Sequence, residues 1–544
     1  MTAAARSPYA SHVDQLLRAT HTIPTRVARR TGRGRDGMGP IPDGAEARVT
    51  ARRTDPPGPE LMALLDAWLP TRRWYPVKGV VVRHVPWLSY ALDVPAPAGH
   101  GLPDDAWPGA RVELHLVRLV GDGVDLVVQV PVVLEPDDGT SSGDGPRPPG
   151  PRAPTPPIGA FAADGAAWVV HDGAAHPACW AALLGVSDWE GGEIAGALDL
   201  AGGRALSVEQ SNSSVLLPAV AGGAMLKILR AIAIGPNPDV TIPRALAAQG
   251  WSGVPRPLAW FEVAWDAIDD PAARPGVPTP PDEGSRTATS RGQQTPRSAH
   301  LAILSEFVDG ARDGFELACA YAGQGESFAD LAADLGRVLA DLHAALRRAF
   351  DVGSPVDSRW LVADLRRRSD EAVASSRALA RRASDVAAFW DRTAARLANV
   401  TRVPDALPRL QTVHGDLHLG QVLHARRFGW KVLDFEGEPL RPVAERTRPD
   451  LALRDVAGIV RSFDYAAAVG RTRDPSWAVQ ARAAFLDAYA RADTAGVDLE
   501  TSAALVRALT LDKALYEVVY ESRNRPDWEP IPLAAVDRLI ATDS

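Results

Sequence analysis

The fold of this chain is decided by the segment QTVHGDLHLGQVLHARRFGWKVLDFEGEP, residues 411–439. Two short apolar stretches, TVH and KVLDF, read as strands around a loop and a hairpin, and each delivers a carboxylate at its end, Asp416 and Asp434. Phosphoryl transfer needs such a pair, because one carboxylate accepts the proton of the attacking hydroxyl while the other holds Mg²⁺ on the phosphates of ATP. Gln421 follows Asp416 by five residues and offers an amide oxygen to a second metal position. We therefore predict a kinase-like site with Asp416 as catalytic base and Gln421 and Asp434 as metal ligands.

Other interpretations of the same residues stay open at this point. Paired carboxylates also perform glycoside hydrolysis, although that function leaves the spacing of Gln421 and the upstream Lys227 unexplained. Each aspartate, taken alone, is also typical of a turn or a helix cap. His414 and His418 flank Asp416, and no Cys stands near them in the sequence. We therefore interpret the two histidines as residues that brace the loop by hydrogen bonds rather than as metal ligands.

An upstream lysine and a polar turn predict where the phosphates of ATP bind. Residues 206–230 read as strand, turn, strand, turn, strand, and Lys227 is the basic residue of the apolar strand MLKIL. A lysine with both strand faces buried needs an anion, and the phosphates of ATP supply one. The first turn is small and polar, so its N–H groups and hydroxyls suit phosphate oxygens. The nucleotide contacts predicted there are Ser211, Asn212, Ser213 and Ser214.

A polar connection leads from the strand LAILSEF to the helical half of the chain. In a bilobal kinase this connection is the hinge, whose backbone reads the adenine ring. The position predicts adenine contacts at Glu306, Phe307 and Val308.

Composition places the chain among globular proteins and excludes several classes. It has 544 residues, 46% of them hydrophobic and 23% charged, which predicts more than one packed unit. A membrane span and a signal peptide are not expected, since long apolar runs are missing and the first residues lack an apolar core. The net charge of −8 does not favour nucleic acid, which needs a positive face. With Cys179 and Cys319 as the only cysteines, we expect a reducing, cytoplasmic location and no disulfide framework.

Changes of pattern along the sequence predict an α+β chain in four parts. Residues 1–58 are rich in Arg and lack apolar periodicity, which predicts a disordered leader. Residues 59–200 begin with a helical pattern and continue as strands, typical of a small α+β cap domain. Residues 201–309 read as a β-rich lobe. Residues 310–544 read as a helical lobe that carries the catalytic and acceptor sites. A β-rich lobe followed by a helical lobe indicates a bilobal, protein-kinase-like fold.

Two tracts rich in Pro, Gly and polar residues interrupt these parts. Residues 136–157 interrupt the cap, and residues 269–298 interrupt the β-rich lobe. Such compositions cannot contribute to a core, so both are predicted to be disordered insertions. The second tract stands between two segments that read as strands, which predicts the tip of a long hairpin.

Several motifs, all in one order, resemble those of bacterial maltokinases, which belong to the aminoglycoside-phosphotransferase-like branch of the protein-kinase fold. RRWYPVKG resembles the element that opens the maltokinase cap domain. The resemblance extends from about residue 61 to about residue 539, apart from the two insertions. The other motifs that carry it are VEQSNSSV, EFVDGARDGFELA, HGDLHLGQVL, LDFEGEP, LRDVAGIVRSFDYAA and DKALYEVVYESRNRPDWEPIPL.

The resemblance implies an ATP- and Mg²⁺-dependent kinase that phosphorylates the anomeric hydroxyl of maltose. The product, maltose 1-phosphate, feeds α-glucan (glycogen) synthesis, which implies functional links to a maltosyltransferase and to trehalose-processing enzymes. The resemblance assigns phosphate binding to Lys227, and the oligomeric state that it implies is either a monomer or a homodimer. The acceptor contacts that it implies lie in the helical lobe, at His418, Asp464, Tyr465, Lys513, Tyr516, Tyr520 and Glu521.

Departures from the maltokinase pattern keep other functions open. Thr241 stands where an acidic partner of Lys227 is expected, which leaves Asp239 or Glu209 for that role. Loss of the acidic partner of Lys227 leaves another function open, that of a degenerate kinase that acts as a nucleotide- or sugar-binding sensor. Glucosamine kinases of related architecture carry a similar motif, so an aminosugar or an aminoglycoside is the alternative acceptor. The residues that also satisfy their motif are Gln411, Asp416, His418 and Gln421.

Overall fold

A computed structural model describes most of the chain beyond the predicted leader. The described residues are 51–103, 106–137, 155–163, 165–192, 198–206, 211–266, 297–400, 407–437, 448–493 and 495–541. The leader up to residue 50, most of both predicted insertions and Glu209 lie outside these ranges. Arg297 and Ser298, which the second insertion was predicted to include, belong to a strand.

The described residues form two compact units. The sheet unit holds the residues up to Val240 and those of Pro257–Phe307, and the helical unit holds Thr241–Arg256 and the residues from Val308 onward. The predicted boundary at 309 lies close to this division. The predicted cap and most of the predicted β-rich lobe belong to the sheet unit, whereas Thr241–Arg256 of that lobe belong to the helical unit, and the four-part division stays a prediction.

The sheet unit consists of antiparallel strands with helices of ten or eleven residues. In chain order its elements are β1 (Ala51–Thr54), α1 (Pro59–Trp68), β2 (Val82–Leu92), β3 (Arg111–Gly121), β4 (Val124–Pro136), β5 (Gly159–Ala163), β6 (Ala166–Asp172), α2 (Pro177–Val186), β7 (Asp188–Trp189), β8 (Arg204–Ala205), β9 (Asn212–Leu217), β10 (Ala224–Leu229), β11 (Ala231–Ile232), α3 (Pro238–Ala248), β12 (Pro257–Trp265) and β13 (Arg297–Glu306). Helix α3 begins in the sheet unit and ends in the helical unit.

Two sheets make up this unit within the described residues. The first has the order β1-β2-β3-β4-β6-β5, with β11 paired to β4, and the second has the order β7-β12-β13-β10-β9-β8. Strands β3 and β4 form a hairpin, and Gly123 takes the positive φ that its tight turn requires. One hydrophobic core contains Leu114 of the first sheet, Trp180 of α2 and Leu226 of the second sheet. The two sheets therefore fold around shared apolar side chains.

The helical unit contains the helices that the amphipathic patterns predict. Its elements are β14 (Arg312–Asp313), α4 (Gly314–Gln324), α5 (Ala329–Ala349), α6 (Ser358–Ser375), α7 (Arg377–Ala380), α8 (Ala383–Val400), β15 (Val422–Ala425), β16 (Gly429–Val432), α9 (Leu453–Val469), α10 (Trp477–Ala492), α11 (Leu499–Asn524) and α12 (Pro530–Ala541). In α5 the buried leucines at 335, 339, 342 and 346 follow the helical repeat. None of the described helices is apolar enough over a sufficient length to cross a bilayer.

The strand predictions around the catalytic motif hold only in part. KVLDF contributes β16, which pairs with β15 as a hairpin. The stretch TVH is not a strand, because only the preceding Gln411 forms a bridge, with Asp450. The predicted turn at 211–214 is also wrong for its last three residues, since Asn212, Ser213 and Ser214 belong to β9.

Candidate active site

A buried carboxylate holds the loop that carries Asp416 by hydrogen bonds to its backbone. Asp455, on the first turn of α9, accepts hydrogen bonds from the backbone N–H groups of His414 (2.9 Å) and Gly415 (3.0 Å). The imidazole of His343 lies 3.2 Å from the same carboxylate. Burial alone raises the pKa of Asp455, but His343 and His414 outweigh it and lower that pKa below the ordinary value. Asp455 therefore stays ionised and holds the loop.

His414 connects this loop to the segment that carries Asp434. Its Nδ1 accepts a hydrogen bond from the backbone N–H of Asp416 (3.3 Å), and its Nε2 lies 2.7 Å from the carbonyl oxygen of Leu433. Because a carbonyl only accepts, Nε2 carries the proton of a neutral imidazole. This geometry is the bracing role that the sequence predicted for His414.

Helix α9 packs directly against the same loop at a glycine. A Cβ on Gly458 would collide with the carbonyl oxygen of Leu417, so a side chain at this position would push the helix away. One turn later, the hydroxyl of Ser462 accepts a hydrogen bond from the N–H of Leu419 (3.1 Å) and donates one to the carbonyl of Gly458 (3.0 Å). These contacts set the distance between α9 and the residues after Asp416.

The two predicted metal ligands lie side by side. The side-chain amide of Gln421 donates a hydrogen bond from Nε2 to Oδ2 of Asp434 (2.9 Å). Asp434 adopts a left-handed backbone with φ of 63°, which Asp and Asn tolerate better than other side chains. A carboxylate and an amide oxygen are hard oxygen ligands of the kind that Mg²⁺ prefers. The residues present therefore fit the predicted metal, and their role as ligands stays a proposal.

A lysine of α11 contacts the predicted base. The ammonium nitrogen of Lys513 lies 3.3 Å from Oδ1 of Asp416. Along α11 the residues at 513, 516, 517, 520 and 521 follow the helical repeat and share one face. This face forms a wall of a cleft that opens beside Asp416.

The cleft has a volume of about 340 Å³, at the small end of the range for ligand pockets. It contains six of the seven acceptor contacts that the sequence resemblance implies, and the seventh, Asp464, does not line it. The side chains and backbone around it belong to Phe315, Asp416, His418, Gly420, Gly458, Ser462, Tyr465, Lys513, Tyr516, Glu517, Tyr520, Glu521, Arg525 and Trp528.

Aromatic rings cover the part of the cleft farther along α11. Tyr516 and Tyr520 stack with their ring centres 6.2 Å apart and their planes inclined by 23°. The guanidinium of Arg525 lies over the ring of Trp528, 4.4 Å from its centre. Flat aromatic faces of this kind suit the apolar faces of sugar rings.

Two glutamates of the cleft are held by arginines. Glu517 accepts a hydrogen bond from Nε of Arg461 (2.8 Å), and burial raises the pKa of its carboxyl. Glu521 accepts hydrogen bonds from Arg525 (2.7 and 2.8 Å) and from the hydroxyl of Tyr465 (3.1 Å). Burial, followed by the charges of these two glutamates, raises the pKa of Tyr465, so its phenol stays protonated and donates to Glu521.

His418 is a neutral imidazole at the edge of the cleft. Its Nδ1 accepts a hydrogen bond from the N–H of Gly420 (3.0 Å), which leaves Nε2 as the protonated nitrogen. Burial lowers the pKa of His418 to about 4, and the nearby charge of Lys513 lowers it further, against the opposing effect of Asp416. At neutral pH this side chain is therefore a hydrogen-bond donor without charge.

Asp464 has a different environment from the one predicted. Its carboxylate contacts the guanidinium groups of Arg461, Arg482 and Arg538, with 2.8 Å to the last of them. The side chain is 9% exposed and lies outside the cleft lining. Three arginines hold its carboxylate, and contact between Asp464 and the acceptor stays a prediction.

In the sheet unit, Lys227 has an acidic partner. Its ammonium forms an ion pair with the carboxylate of Asp239 at the start of α3, so Asp239 takes the role that Thr241 leaves vacant. Lys227 belongs to the sheet unit, and Asp416 with the metal-ligand pair belongs to the helical unit. The convergence of Lys227 on Asp416 stays a prediction from the sequence.

The predicted phosphate contacts of β9 are engaged elsewhere in the sheet unit. Asn212 accepts a hydrogen bond from the N–H of Arg230 (3.0 Å), and the hydroxyl of Ser213 accepts one from Nε of that arginine (2.9 Å). Arg230 is fully buried and also forms a paired contact with Asp172 at 2.7 and 2.8 Å. Asn212 and Ser213 therefore stabilise a buried arginine through their side chains, and their contact with phosphate stays a prediction.

The predicted hinge begins where β13 ends at Glu306. The N–H of Phe307 donates a hydrogen bond to the carbonyl of Gly223 (3.0 Å) and so continues the sheet by one residue. Ser211 precedes β9 as a bend. Adenine contact at Glu306, Phe307 and Val308 stays a prediction.

The sequence did not single out several residues that shape this site. Asp455 holds the catalytic loop from about forty positions away, and no local pattern links the two. Glu517 had a usable signal, since it stands four residues after Lys513 on the same helical face. The other cleft residues that were not predicted are Phe315, Gly420, Gly458, Ser462, Arg525 and Trp528.

Comparison with known proteins finds similarity to a phosphotransferase family and to glucosamine kinases. Residues 318–498 match the model of the phosphotransferase enzyme family, APH. A glucosamine kinase of Mycolicibacterium smegmatis is 29% identical over 359 residues, 62% of this chain and 80% of that protein. A glucosamine kinase of Streptacidiphilus jiangxiensis is 29% identical over 365 residues, 63% of this chain and 75% of that protein.

A solved structure shows the same fold. It is a glucosamine kinase in complex with glucosamine, ADP and inorganic phosphate, with a TM-score of 0.51, 24% identity, and coverage of 88% of this chain and 99% of that one. The solved structure shows the fold, and the match to the phosphotransferase enzyme family, the class to which these findings point, covers residues 318–498. Within that class, the proteins to which this chain is similar include the two glucosamine kinases.

Proposed function

We propose that this chain is an ATP-dependent sugar kinase and that its acceptor is the aminosugar glucosamine. The observation that carries the proposal is the position of Asp416. Its loop is held by Asp455, its carboxylate contacts Lys513, and it lines a cleft of sugar size. This arrangement suits a base that aligns an acceptor hydroxyl for direct attack on the γ-phosphoryl group of ATP.

The other residues have complementary roles in this mechanism. Gln421 and Asp434 would hold Mg²⁺, which when bound neutralises charge on the phosphates. Lys227, oriented by Asp239, would hold phosphate oxygens from the sheet unit. His418 presents a neutral N–H to the cleft, suited to an acceptor hydroxyl.

Two observations favour glucosamine as the acceptor. Relatives with this activity are 29% identical over more than three fifths of the chain. Among the charged side chains that line the cleft, three are acidic and two are basic, so a protonated amino group is favoured over an anion. The acidic ones are Asp416, Glu517 and Glu521.

Maltose is the second candidate, and specific observations favour it. The long motifs of the sequence resemble those of maltokinases, and stacked Tyr516 and Tyr520 extend the cleft wall along α11. A second sugar ring would find an aromatic surface there. With maltose as acceptor, the product would be maltose 1-phosphate for α-glucan synthesis, as the resemblance implies.

An acceptor panel separates these functions. ADP release is measured with ATP, Mg²⁺ and, in turn, glucosamine, maltose, glucose and an aminoglycoside. We expect kcat/KM to be highest for glucosamine, and a higher value for maltose would overturn that choice of acceptor. Nucleotide binding without ADP release from any of the four would favour the sensor.

The role of Asp416 has its own test. Asp416→Asn keeps the shape of the side chain and removes the base, so turnover falls by about 10²- to 10⁴-fold. The thermal midpoint and ATP binding report whether the fold is intact. Near-normal turnover of this variant would contradict the mechanism.

A further inference from the structure

A cluster of charges lies directly behind the lysine that contacts Asp416. Lys513 reaches Oδ1 of Asp416 at 3.3 Å. The preceding residue, Asp512, projects about 100° away around the helix, and its side chain is only 6% exposed. Its Oδ2 lies 2.9 Å from Arg368 of α6 and 3.1 Å from Arg454 of α9. Asp512 therefore joins three helices at the level of Lys513.

Arg454 extends this cluster to the chain that enters the catalytic loop. Its Nε lies 2.7 Å from Oδ2 of Asp450. The backbone of Asp450 exchanges two hydrogen bonds with that of Gln411, at 2.8 and 3.0 Å. Gln411 begins the segment that leads to Asp416. The same arginine thus contacts both α11 and Asp450, which is paired with Gln411 in the segment before Asp416.

The charge of Asp512 is what holds these groups together. Its carboxylate lies between two guanidinium groups whose side chains are 27% and 17% exposed. Without that anion the two cations repel each other, and at this burial the repulsion is only partly screened by solvent. The helix that presents Lys513 then loses its ion pairs with Arg368 of α6 and Arg454 of α9, and keeps the contacts of Glu517 and Glu521 with α9 farther along.

We propose that Asp512 is a positioning residue for phosphoryl transfer, because it holds Lys513 against Asp416. The inference rests on the proposed function, since Asp416 acts as a base only in a kinase. A residue that merely stabilised the fold would lower the thermal midpoint and leave the kinetic constants of the folded enzyme unchanged. A positioning residue lowers kcat at temperatures where the variant is fully folded.

A double-mutant cycle tests this proposal on the full chain. Asp512→Asn, Lys513→Met and the double variant are compared with the unchanged protein by ADP release with the best acceptor of the panel. We expect Asp512→Asn to lower kcat by about 10- to 100-fold, the effect of misplacing a catalytic group by a fraction of an ångström to an ångström. The KM for ATP is expected to stay within about twofold, because the ATP contacts lie elsewhere. In the Lys513→Met background, Asp512→Asn is expected to have little further effect.

A matched control removes another aspartate of the same unit. Asp537, on α12, pairs with Arg382, and neither residue lines the cleft. Asp537→Asn therefore keeps every residue of the cleft. We expect wild-type kcat from this variant. Unchanged kcat in Asp512→Asn, or equal and additive losses in both backgrounds, would overturn the inference while leaving the kinase proposal intact. Absence of ADP release by the unchanged protein with every acceptor would instead overturn the proposed function.

Discussion

The side-chain amide of Gln421 donates a hydrogen bond to the carboxylate of Asp434 at 2.9 Å. This contact fixes which end of the amide faces Asp434, and so leaves the amide oxygen of Gln421 as the end suited to a cation. Gln421 directly precedes β15 and Asp434 follows β16, so both lie at the open end of the hairpin that these strands form. The hairpin therefore brings together two oxygen ligands that stand thirteen positions apart in the sequence.

Asp434→Asn tests the metal proposal without disturbing the backbone. Asn tolerates the left-handed conformation of position 434, so the variant is expected to fold. Loss of the charged ligand is expected to lower turnover by about 10³-fold, because a bound metal contributes several kcal/mol to stabilising the transferring phosphate. ADP release is measured across a Mg²⁺ titration. A variant with normal turnover at the normal Mg²⁺ midpoint would contradict the assignment.

The ion pair of Lys227 and Asp239 predicts a selective defect in ATP binding. Asp239→Asn removes the charge that orients the lysine. A hydrogen bond to a charged group is worth about 1.5–3 kcal/mol, so the KM for ATP is expected to rise by roughly ten- to hundredfold. The KM for the acceptor is expected to change little, since acceptor contacts are proposed for the helical unit. The reverse pattern, a higher acceptor KM with an unchanged ATP KM, would show that Lys227 does not serve the nucleotide.

His418 predicts how stability depends on acid. Its folded-state pKa is about 4, below the ordinary value of roughly 6.5 in the unfolded chain. Between these values the unfolded state binds more protons, so the free energy of unfolding falls as pH decreases from about 6.5 to about 4. His418→Gln removes this contribution, and its thermal midpoint is expected to decline less steeply over that range. An equally steep decline in the variant would show that other groups cause the loss.

The sequence predicted the parts of the site whose geometry is local. Asp416, Gln421 and Asp434 belong to one loop and hairpin, so their spacing alone indicates a shared site. Long-range contacts gave no such signal, and Asp455 was missed because packing of α9 brings it to the loop.

Polar residues in apolar surroundings have partners that the sequence alone does not identify. Asn212 and Ser213 looked like a phosphate-binding turn, and in the fold their side chains bind buried Arg230 seventeen or eighteen positions away. For Lys227 the sequence left Asp239 or Glu209 as the acidic partner, and in the fold the ion pair is with Asp239. In both cases the residue type was informative and the identity of its partner depended on the fold.

Asp464→Asn tests whether Asp464 contacts the acceptor, as the sequence resemblance implies. Asp464→Asn removes the charge that three arginines share, and two of these arginines are largely buried. Loss of such a buried acceptor is expected to cost about 1–3 kcal/mol of folding free energy. The KM for the acceptor is expected to change by less than about threefold, because loss of a residue that makes no substrate contact leaves ground-state binding in place. Urea unfolding and acceptor kinetics measure the two effects separately.

The exposed pair of Asp537 and Arg382 supplies the control for this measurement. The carboxylate of Asp537 is 51% exposed, so Asp537→Asn is expected to lower the free energy of unfolding by only about 0–1 kcal/mol. A large stability loss in Asp464→Asn together with a small one in Asp537→Asn would place Asp464 among the residues that support the cleft from behind. A tenfold rise in acceptor KM without loss of stability would instead restore the sugar contact that the sequence resemblance implied.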